Sequence, residues 1–500
     1  MYMEKSLTNI KSLYKKYDGN TISRLEMYIN IELPVLLDKY NKQEKKNLFL
    51  ETKIKKYIKD FITNNQFFYI KQTDTFLKYD GENYIFVNED AIWFIILKDI
   101  LNYEILIESK QNIKSRIIKN IKERSLFNTI PESYTVQFVL SFFTPTLFDT
   151  KDDVKHFMTL IGDNILNKSS DLYYFVPIES KLFFDTLEAM VYYHFGSRLN
   201  ITSLIRYRYR GEDYDKSRII YFTKSISNKS CWLSFLKDNI FNFLAVCCHY
   251  SARYVSAVNY VNKGNAVLKS KILYLKNNTK EELIHTFSEK MLIKGGNHKI
   301  HLKDMFFLWK IYLKQRNIPN IIYKLEFETI IKNKVDNSNN FFTSIKSNYL
   351  AGAKFLKKFW ITHMLKDNDE EIEISELHTL LMKWLEDKPN FDFDENSLRD
   401  IIDYFYDDVT IENDKFLIGI GCNLWNKQAD ILEAFQNKFN KEINADITIY
   451  DSYVMYCKYS GNNGKLLTVS KKYYYKYIDK VIPTQYINEG CILLSYFENL

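Results

Sequence analysis

Only 14 glycines and 7 prolines punctuate the 500-residue chain, far below average usage of roughly 7% and 5%. This scarcity constrains the fold more than any motif does. Glycine supplies the positive φ of tight turns and proline stops helices, so a chain poor in both must build long, uninterrupted elements. Helix should dominate. The length suggests roughly three domains, and 46% hydrophobic with 26% charged residues excludes a disordered chain. Aromatics reach 16%, with 38 Tyr and 36 Phe, alongside heavy use of Lys, Asn and Ile. That is the bias of an AT-rich genome, so a Tyr or Phe here is weak evidence of a stacking site.

Three apolar stretches, Ala91 to Leu97, Val136 to Phe148 and Ile240 to Cys248, are too short to cross a bilayer, and Pro145 breaks the second. The opening Met1-Tyr2-Met3-Glu4-Lys5 lacks the apolar run of a signal peptide. An intracellular chain without a membrane partner is expected. The cysteines, Cys231, Cys247, Cys248, Cys422, Cys457 and Cys491, include no CxxC pair, which points to reduced core thiols rather than disulfides or a zinc ribbon.

Periodicity predicts amphipathic helices over residues 1–65, with Leu33, Leu36, Leu37, Tyr40, Ile54, Tyr57, Ile58, Phe61 and Ile62 at helical spacing. Lys45, Lys46, Lys53, Lys55, Lys56 and Lys59 fill the remainder as a solvated face. The period then changes to that of strands at Phe67 to Ile70, Thr75 to Tyr79 and Tyr84 to Val87, with Asp80-Gly81 as the turn. Asn88-Glu89-Asp90 caps a helix through Ile92, Ile95, Ile96 and Ile100. Another helix has Ile113, Ile117, Ile118 and Ile121 inward and Lys114, Lys119, Lys122 and Arg124 outward. A β-hairpin region over 66–135 and a mixed domain over 136–298 come after the N-terminal helices, with strands expected at Leu172 to Ile178 and Ile205 to Tyr209 and a buried helix at Phe235 to Tyr250.

From residue 299 a pattern recurs three times: helix, polar turn, second helix, then strands or the chain's last residues. Met305 to Leu313, the turn Arg316 to Pro319, Tyr323 to Ile331 and a strand Phe341 to Ile345 make the first copy, within 299–365. Leu377 to Leu385, a turn over Pro389, Ser397 to Phe405 and strands Val409 to Ile411 and Phe416 to Ile420 make the second, within 370–425. Tyr450 to Tyr459, the turn Gly461 to Gly464 and a helix from Ser470 to Ile478 make the third, within 426–500. Helix-turn-helix followed by a hairpin is the order of a winged-helix module; a generic helical bundle with incidental hairpins is the plainer alternative. Asp367, Asp369, Glu370, Glu371 and Glu373 suit a linker between the first two copies. The expected fold is therefore α+β and helix-dominated, with a mixed N-terminal half and tandem winged-helix-like units behind it.

No complete catalytic pattern accompanies this organisation. Gly461-Asn462-Asn463-Gly464-Lys465 has neither the spacing nor the hydroxyl of a phosphate-binding loop, and Gly419-Ile420-Gly421 ends a strand rather than opening a dinucleotide fingerprint. Cys247-Cys248-His249 points in different directions on a helix, and His156 with Asp163 lacks a third partner. Glu108-Ser109-Lys110 and Glu179-Ser180-Lys181, the latter with Asp163 and Asp171 upstream, sit in strand-like runs and make half of a metal-dependent nuclease signature. No cofactor, metal or catalytic residue is assigned.

Net charge is +7, from 69 basic and 62 acidic residues, which permits a polyanionic partner without demanding one. In Arg206-Tyr207-Arg208-Tyr209-Arg210 strand alternation would put three guanidiniums on one face, matching a phosphate backbone; pairing with Glu212, Asp213 and Asp215 is the alternative. Ser470, Lys471, Lys472 and Lys476 open a Tyr-rich helix in the geometry of a recognition helix, or a core helix with a basic rim.

Three stretches carry a resemblance: Tyr79-Asp80-Gly81 with Tyr84 and Asn88-Glu89-Asp90, Phe148 to Leu166 with Ile161-Gly162-Asp163-Asn164, and Val469-Ser470-Lys471-Lys472-Tyr473. They resemble proteins of large cytoplasmic DNA viruses related to mimivirus and are similar to the non-catalytic regions flanking the ATPase of poxvirus-type primase-helicases. The resemblance implies a viral protein in the host cytoplasm, its viral factory or the virion, working near replication or gene expression. Without a phosphate-binding loop, no helicase activity is carried over. The expectation is a non-enzymatic binder of DNA or RNA; a scaffold for viral or host proteins in a transcription or translation-initiation assembly, and a divergent nuclease, are the alternatives.

Overall fold

Helices occupy 65% and strands 14% of the described residues, the outcome that scarce glycine and proline favour. The computed structural model describes residues 2–196, 201–386, 394–439 and 443–498. The chain divides into one unit of Met1–Glu282 with Leu313–Lys324 and another of Leu283–Tyr312 with Leu325–Leu500.

The first unit opens with α1 (Tyr2–Lys16), α2 (Asn20–Met27) and α3 (Leu33–Asn64). Gly19, at φ 55°, turns the chain between α1 and α2. Pro34 sits in the first turn of α3, directly after the π-helical segment Tyr28–Glu32 that joins α2 to α3. The apolar residues of this arm behave in two ways. Ile54, Tyr57, Ile58 and Phe61 of α3 are buried, whereas Ile31, Val35, Leu37, Tyr40 and Leu48 are more than half exposed.

The antiparallel strands β1 (Phe67–Ile70), β2 (Thr75–Tyr79) and β3 (Tyr84–Val87) keep the predicted limits. Gly81 holds φ at 112°, and the Asp80 carboxylate accepts from the amides of Glu82 and Asn83, closing the turn. Asn88 caps α4 (Glu89–Ile100) by accepting from the Ala91 amide. Helix α5 (Lys110–Lys122) lays Ile113, Ile117, Ile118 and Ile121 into the core that α3, α4 and the β-sheet share.

A second core is built from α6 (Ser133–Thr146), α7 (Lys151–Ile165), α8 (Lys181–Phe195) and, further along, α10 (Leu233–Tyr254). Between α8 and α10 lie the short α9 (Ile201–Leu204) and two strands, β5 (Ile205–Arg206) and β6 (Ser217–Ile219). Both pair in parallel with β4 (Tyr173–Phe175). The two expected strands here are thus real but shorter than periodicity suggested, because only their central residues reach the ladder. By length and composition the segment Lys229–Tyr254 could cross a membrane, yet 67% of its apolar window is buried inside the fold. Its apolar residues pack in the second core. Helices α11 (Ala257–Lys263), α12 (Ala266–Ile272) and α13 (Lys280–Met291) complete the run.

From α13 onward one order of elements occurs three times. The first copy is α13, β7 (Ile293–His301), α14 (Leu302–Gln315), α15 (Lys324–Lys334), β8 (Asn337–Ser338) and β9 (Phe341–Lys346). The second is α16 (Ala351–His363), β10 (Met364–Glu373), α17 (Ile374–Trp384), α18 (Glu395–Phe405), β11 (Thr410–Glu412) and β12 (Phe416–Cys422). The third is α19 (Lys427–Ala434), β13 (Ile447–Thr448), α20 (Ile449–Asn462), α21 (Lys471–Val481), β14 (Ile487–Asn488) and β15 (Cys491–Ile492), with α22 (Leu494–Glu498) after it. In all three sheets the last strand is central and antiparallel to both neighbours: β7-β9-β8, β10-β12-β11 and β13-β15-β14.

Each copy therefore carries a leading helix and a strand that the periodicity did not reveal. The expected acidic linker is corrected as well: its residues lie in β10, where Glu371 to Glu373 pair with Phe416 to Ile418 and a bulge falls between Lys366 and Glu371. The bulge lets the polar residues leave the ladder while Ile372 stays buried. The turn expected over Pro389 lies outside the described residues.

Candidate nucleic-acid interface

The arginine run does not form the continuous basic strand that alternation predicts, because only Ile205 and Arg206 are in β5. Arg206 is consumed internally: its Nε lies 2.7 Å from Glu212 Oε1, its Nη1 donates to the carbonyls of Ser203 and Ile205, and its guanidinium covers the Tyr173 ring at 4.4 Å. Pairing with Glu212, the alternative reading, holds for this residue. Tyr207 packs against the second core, and Tyr209 donates its amide to Asn320. Arg208 and Arg210 are exposed.

Ser470 caps α21 as expected, accepting from the Tyr473 amide. The first turn of α21 is nonetheless not a free basic end. Lys472 Nζ lies 3.1 Å from Glu371 and 2.9 Å from Glu412, both in the sheet of the second copy. The neighbouring Tyr473 donates its hydroxyl to Glu370. Lys471 lies over the Tyr450 ring, and Lys476 is exposed. Lys472 acts as a clasp between the second and third copies. Since its side chain is half exposed but Glu371 is buried, Lys472→Ala should cost about 1–2 kcal/mol in urea unfolding.

Charge is distributed unevenly over the repeats. Residues 351–426 hold 17 Asp and Glu against 8 Lys and Arg, while residues 283–350 hold 5 against 11. A phosphate backbone would be repelled by the second copy. Helix α18 is, moreover, engaged elsewhere: Tyr404 and Phe405 pack on Phe307, and Asp403 pairs with Lys310 at 3.1 Å.

A basic surface arises where α3 meets α5. Lys55, Ile58, Lys59, Ile62, Thr63, Arg116, Lys119, Asn120 and Glu123 line a groove of about 580 Å³. Arg116 forms a two-pronged pair with Glu51, at 2.9 and 3.1 Å, which holds the Glu51 carboxyl below its ordinary range. Lys55, Lys59 and Lys119 are exposed and form no ion pair among the described residues. The groove thus offers three available ammonium groups above an apolar floor of Ile58 and Ile62. Its lysines were visible in the sequence as two separate solvated faces; that the faces adjoin depends on the packing of Ile54, Ile58, Ile117 and Ile121.

The half-motifs of a nuclease do not assemble. Glu108 and Glu179 lie in 3₁₀ turns that lead into α5 and α8, not at the ends of strands. Asp163 is held by Ser251, the Ala257 amide and Lys168, and Asp171 pairs with Lys216 at 2.8 Å. His156 is buried, and burial together with Arg218 brings it down to about 3. Cys247 and Cys248 are core residues whose thiols burial pushes up. Among the described residues no group of three His, Cys, Asp or Glu side chains could hold a metal ion. No protein-family model, no curated protein and no solved structure matches this chain.

Proposed function

We propose that this protein binds nucleic acid without transforming it, and that the phosphate backbone runs along the groove between α3 and α5. The observation that carries this reading is the trio of exposed lysines, Lys55, Lys59 and Lys119, around an apolar floor. Ammonium groups that neutralise phosphates release condensed counterions, so binding must weaken steeply with salt. The repeated helix, strand, helix, helix, hairpin order supports reading the three copies as winged-helix units. Their acidic middle and the clasped helix α21 assign two of them to packing rather than to groove contact. On the resemblance, the setting would be replication or gene expression of a large DNA virus in its host's cytoplasm.

Binding of labelled single- and double-stranded DNA and RNA across a salt series tests this. The wild-type protein should give a steep negative slope. Replacing Lys55, Lys59 and Lys119 together by Glu should reduce that slope by about 2–3 and weaken binding at least ten-fold. A flat salt response in the wild-type protein would refute the reading. A slope unchanged in the triple variant but lowered by Arg208→Glu with Arg210→Glu would move the interface to the arginine run.

A second reading, a scaffold for other proteins, is favoured by the apolar residues that α3 and the π-helical segment Tyr28–Glu32 before it leave uncovered. Ile31, Val35, Leu37 and Tyr40 are 57–70% exposed, a cluster in the sequence that the fold does not bury. Recovery of a defined partner by the wild-type chain but not by Val35→Asp with Leu37→Asp, in nuclease-treated extract, is the expected result if this arm docks protein.

A further inference from the structure

Away from the α3 and α5 groove, the first unit contains a cavity of about 360 Å³ bounded by α6, α7 and α10. Its size falls within the range of small-molecule sites. Two helices each present a pair of residues four apart, which places both members on one face. Helix α7 contributes Lys151 and Lys155, and α10 contributes His249 and Arg253. A second i,i+4 pair on α10, Tyr250 and Tyr254, lines the same cavity with rings 5.8 Å apart and inclined by only 11°.

The charge of this cavity is positive. Lys155 faces Asp152 at 3.4 Å, but Asp152 also accepts from the Tyr260 hydroxyl and the Asn265 amide, 3.3 Å each, on the side of α11 and α12. Lys151 and Arg253 are exposed and form no ion pair among the described residues. Arg253 instead covers the Tyr254 ring at 5.6 Å. Burial and Arg253 lower His249 from its ordinary value, so at neutral pH it offers a hydrogen bond and no charge. Ser133, first residue of α6, also lines the cavity, and amides at a helix N-terminus favour an anion.

We propose that this cavity is a binding site for a nucleoside 5′-phosphate, with the phosphate between Lys151, Lys155 and Arg253 and the base against Tyr254. Guanidinium and ammonium groups supply the anion contacts, and a tyrosine face next to an arginine supplies stacking. A free nucleotide and the 5′-phosphorylated end of a strand share this chemistry. The site is independent of the groove lysines, so the two readings can fail separately.

The test titrates the full chain with AMP, adenosine, ribose 5-phosphate, and one ten-nucleotide strand with or without a 5′-phosphate. AMP should bind at least ten-fold more tightly than adenosine if free nucleotides enter; if only strand ends enter, the phosphorylated strand should surpass its unphosphorylated form by the same factor. Either preference should disappear in Lys151→Gln with Arg253→Gln, two exposed positions whose replacement leaves the core intact, as circular dichroism would verify. Tyr254→Leu should reduce the advantage of AMP over ribose 5-phosphate while retaining the phosphate preference. Equal binding with and without phosphate, or a preference that survives the double substitution, overturns the proposal. Neither variant should change the salt slope attributed to Lys55, Lys59 and Lys119.

Discussion

Gly162→Ala should destabilise the first unit by about 3 kcal/mol or more. A Cβ built at Gly162 of α7 would stand 2.1 Å from the Cys247 carbonyl oxygen, 2.6 Å from its carbon and 2.8 Å from Ser251 Cβ, all on α10. Two of these atoms are backbone, so the clash cannot be relieved by a change of rotamer. In an isolated helix, alanine would be favoured over glycine by about 1 kcal/mol. Overpacking of a core usually costs about 1–3 kcal/mol and occasionally more, and here it also threatens the bonds that depend on the same close approach. Asp163 accepts from the Ser251 hydroxyl at 2.6 Å and the Ala257 amide at 2.7 Å, while Lys168 donates to Ser251 and to the Val255 carbonyl. Losing such a buried network adds about 1–3 kcal/mol. The loss should therefore exceed the propensity gain. Gly461, in α20 with nothing within 4 Å of its Cβ position, is the control: Gly461→Ala should be neutral or stabilising by up to about 1 kcal/mol. Urea unfolding of both variants checks this, and a wild-type-like Gly162→Ala protein would contradict the close helix contact.

What could be read from the sequence was what short-range chemistry determines. Strands β1 to β3 were legible because each is a short run rich in aromatic and β-branched residues and because Asp80-Gly81 closes its own turn. The caps Asn88 and Ser470 were legible for the same reason: a single side chain accepts an amide three residues on. Strand β7 carries Gly295-Gly296 and only one buried residue, Ile300, and it is a strand because β9 lies alongside. Strand β10 pairs with residues some fifty positions later, and its acidic residues obscure the pattern that Ile372 belongs to. Such strands are imposed by tertiary partners, which local propensity does not encode. The third, β13, has only two residues.

Candidate sites divide in the same way. The groove on α3 and α5 could be anticipated as two lysine faces but not as one surface, since hydrophobic packing between the helices brings them together. The cavity on α6, α7 and α10 left no sequence signal: Lys151 and Arg253 are about a hundred positions apart and each looks like an ordinary surface cation. Conversely, the two most conspicuous motifs were partly consumed by the fold. Arg206 and Lys472 both meet carboxylates, because a cation surrounded by aromatics in a chain with 62 acidic residues readily finds a partner within the protein. Conspicuous charge in a sequence marks where an ion pair can form, and only the fold decides whether the partner is internal.

Lys427→Ala should be the most damaging change in the second unit, at about 3–5 kcal/mol. Lys427 and Glu376 have side chains only 5% and 7% exposed, with Nζ 3.0 Å from Glu376 Oε2. The ammonium also donates to the Glu371 carbonyl at 2.6 Å and lies against the rings of Trp425 and Tyr473, at 4.8 and 4.9 Å. Glu376 in turn accepts from the Glu373 amide and so completes the N-terminal cap of α17. Such a pair adds little beyond what apolar residues of equal volume would, but removing one partner leaves a buried charge uncompensated, which costs about 3–5 kcal/mol. Lys427→Met together with Glu376→Gln should therefore be much milder than Lys427→Ala alone. The pH dependence has a definite sign. Burial raises the Glu376 carboxyl above its ordinary 4.5 in spite of Lys427, so between 4.5 and the raised value the folded protein keeps a proton that the unfolded chain has lost. Stability falls as pH rises through that window. Without Lys427 the carboxyl rises further and the window widens, so the deficit of Lys427→Ala should be largest near pH 7.5 and shrink towards pH 4.5. Urea unfolding at the two pH values measures it. A deficit below about 1 kcal/mol at pH 7.5, or one that grows on acidification, would show that Lys427 does not neutralise Glu376 in the folded protein.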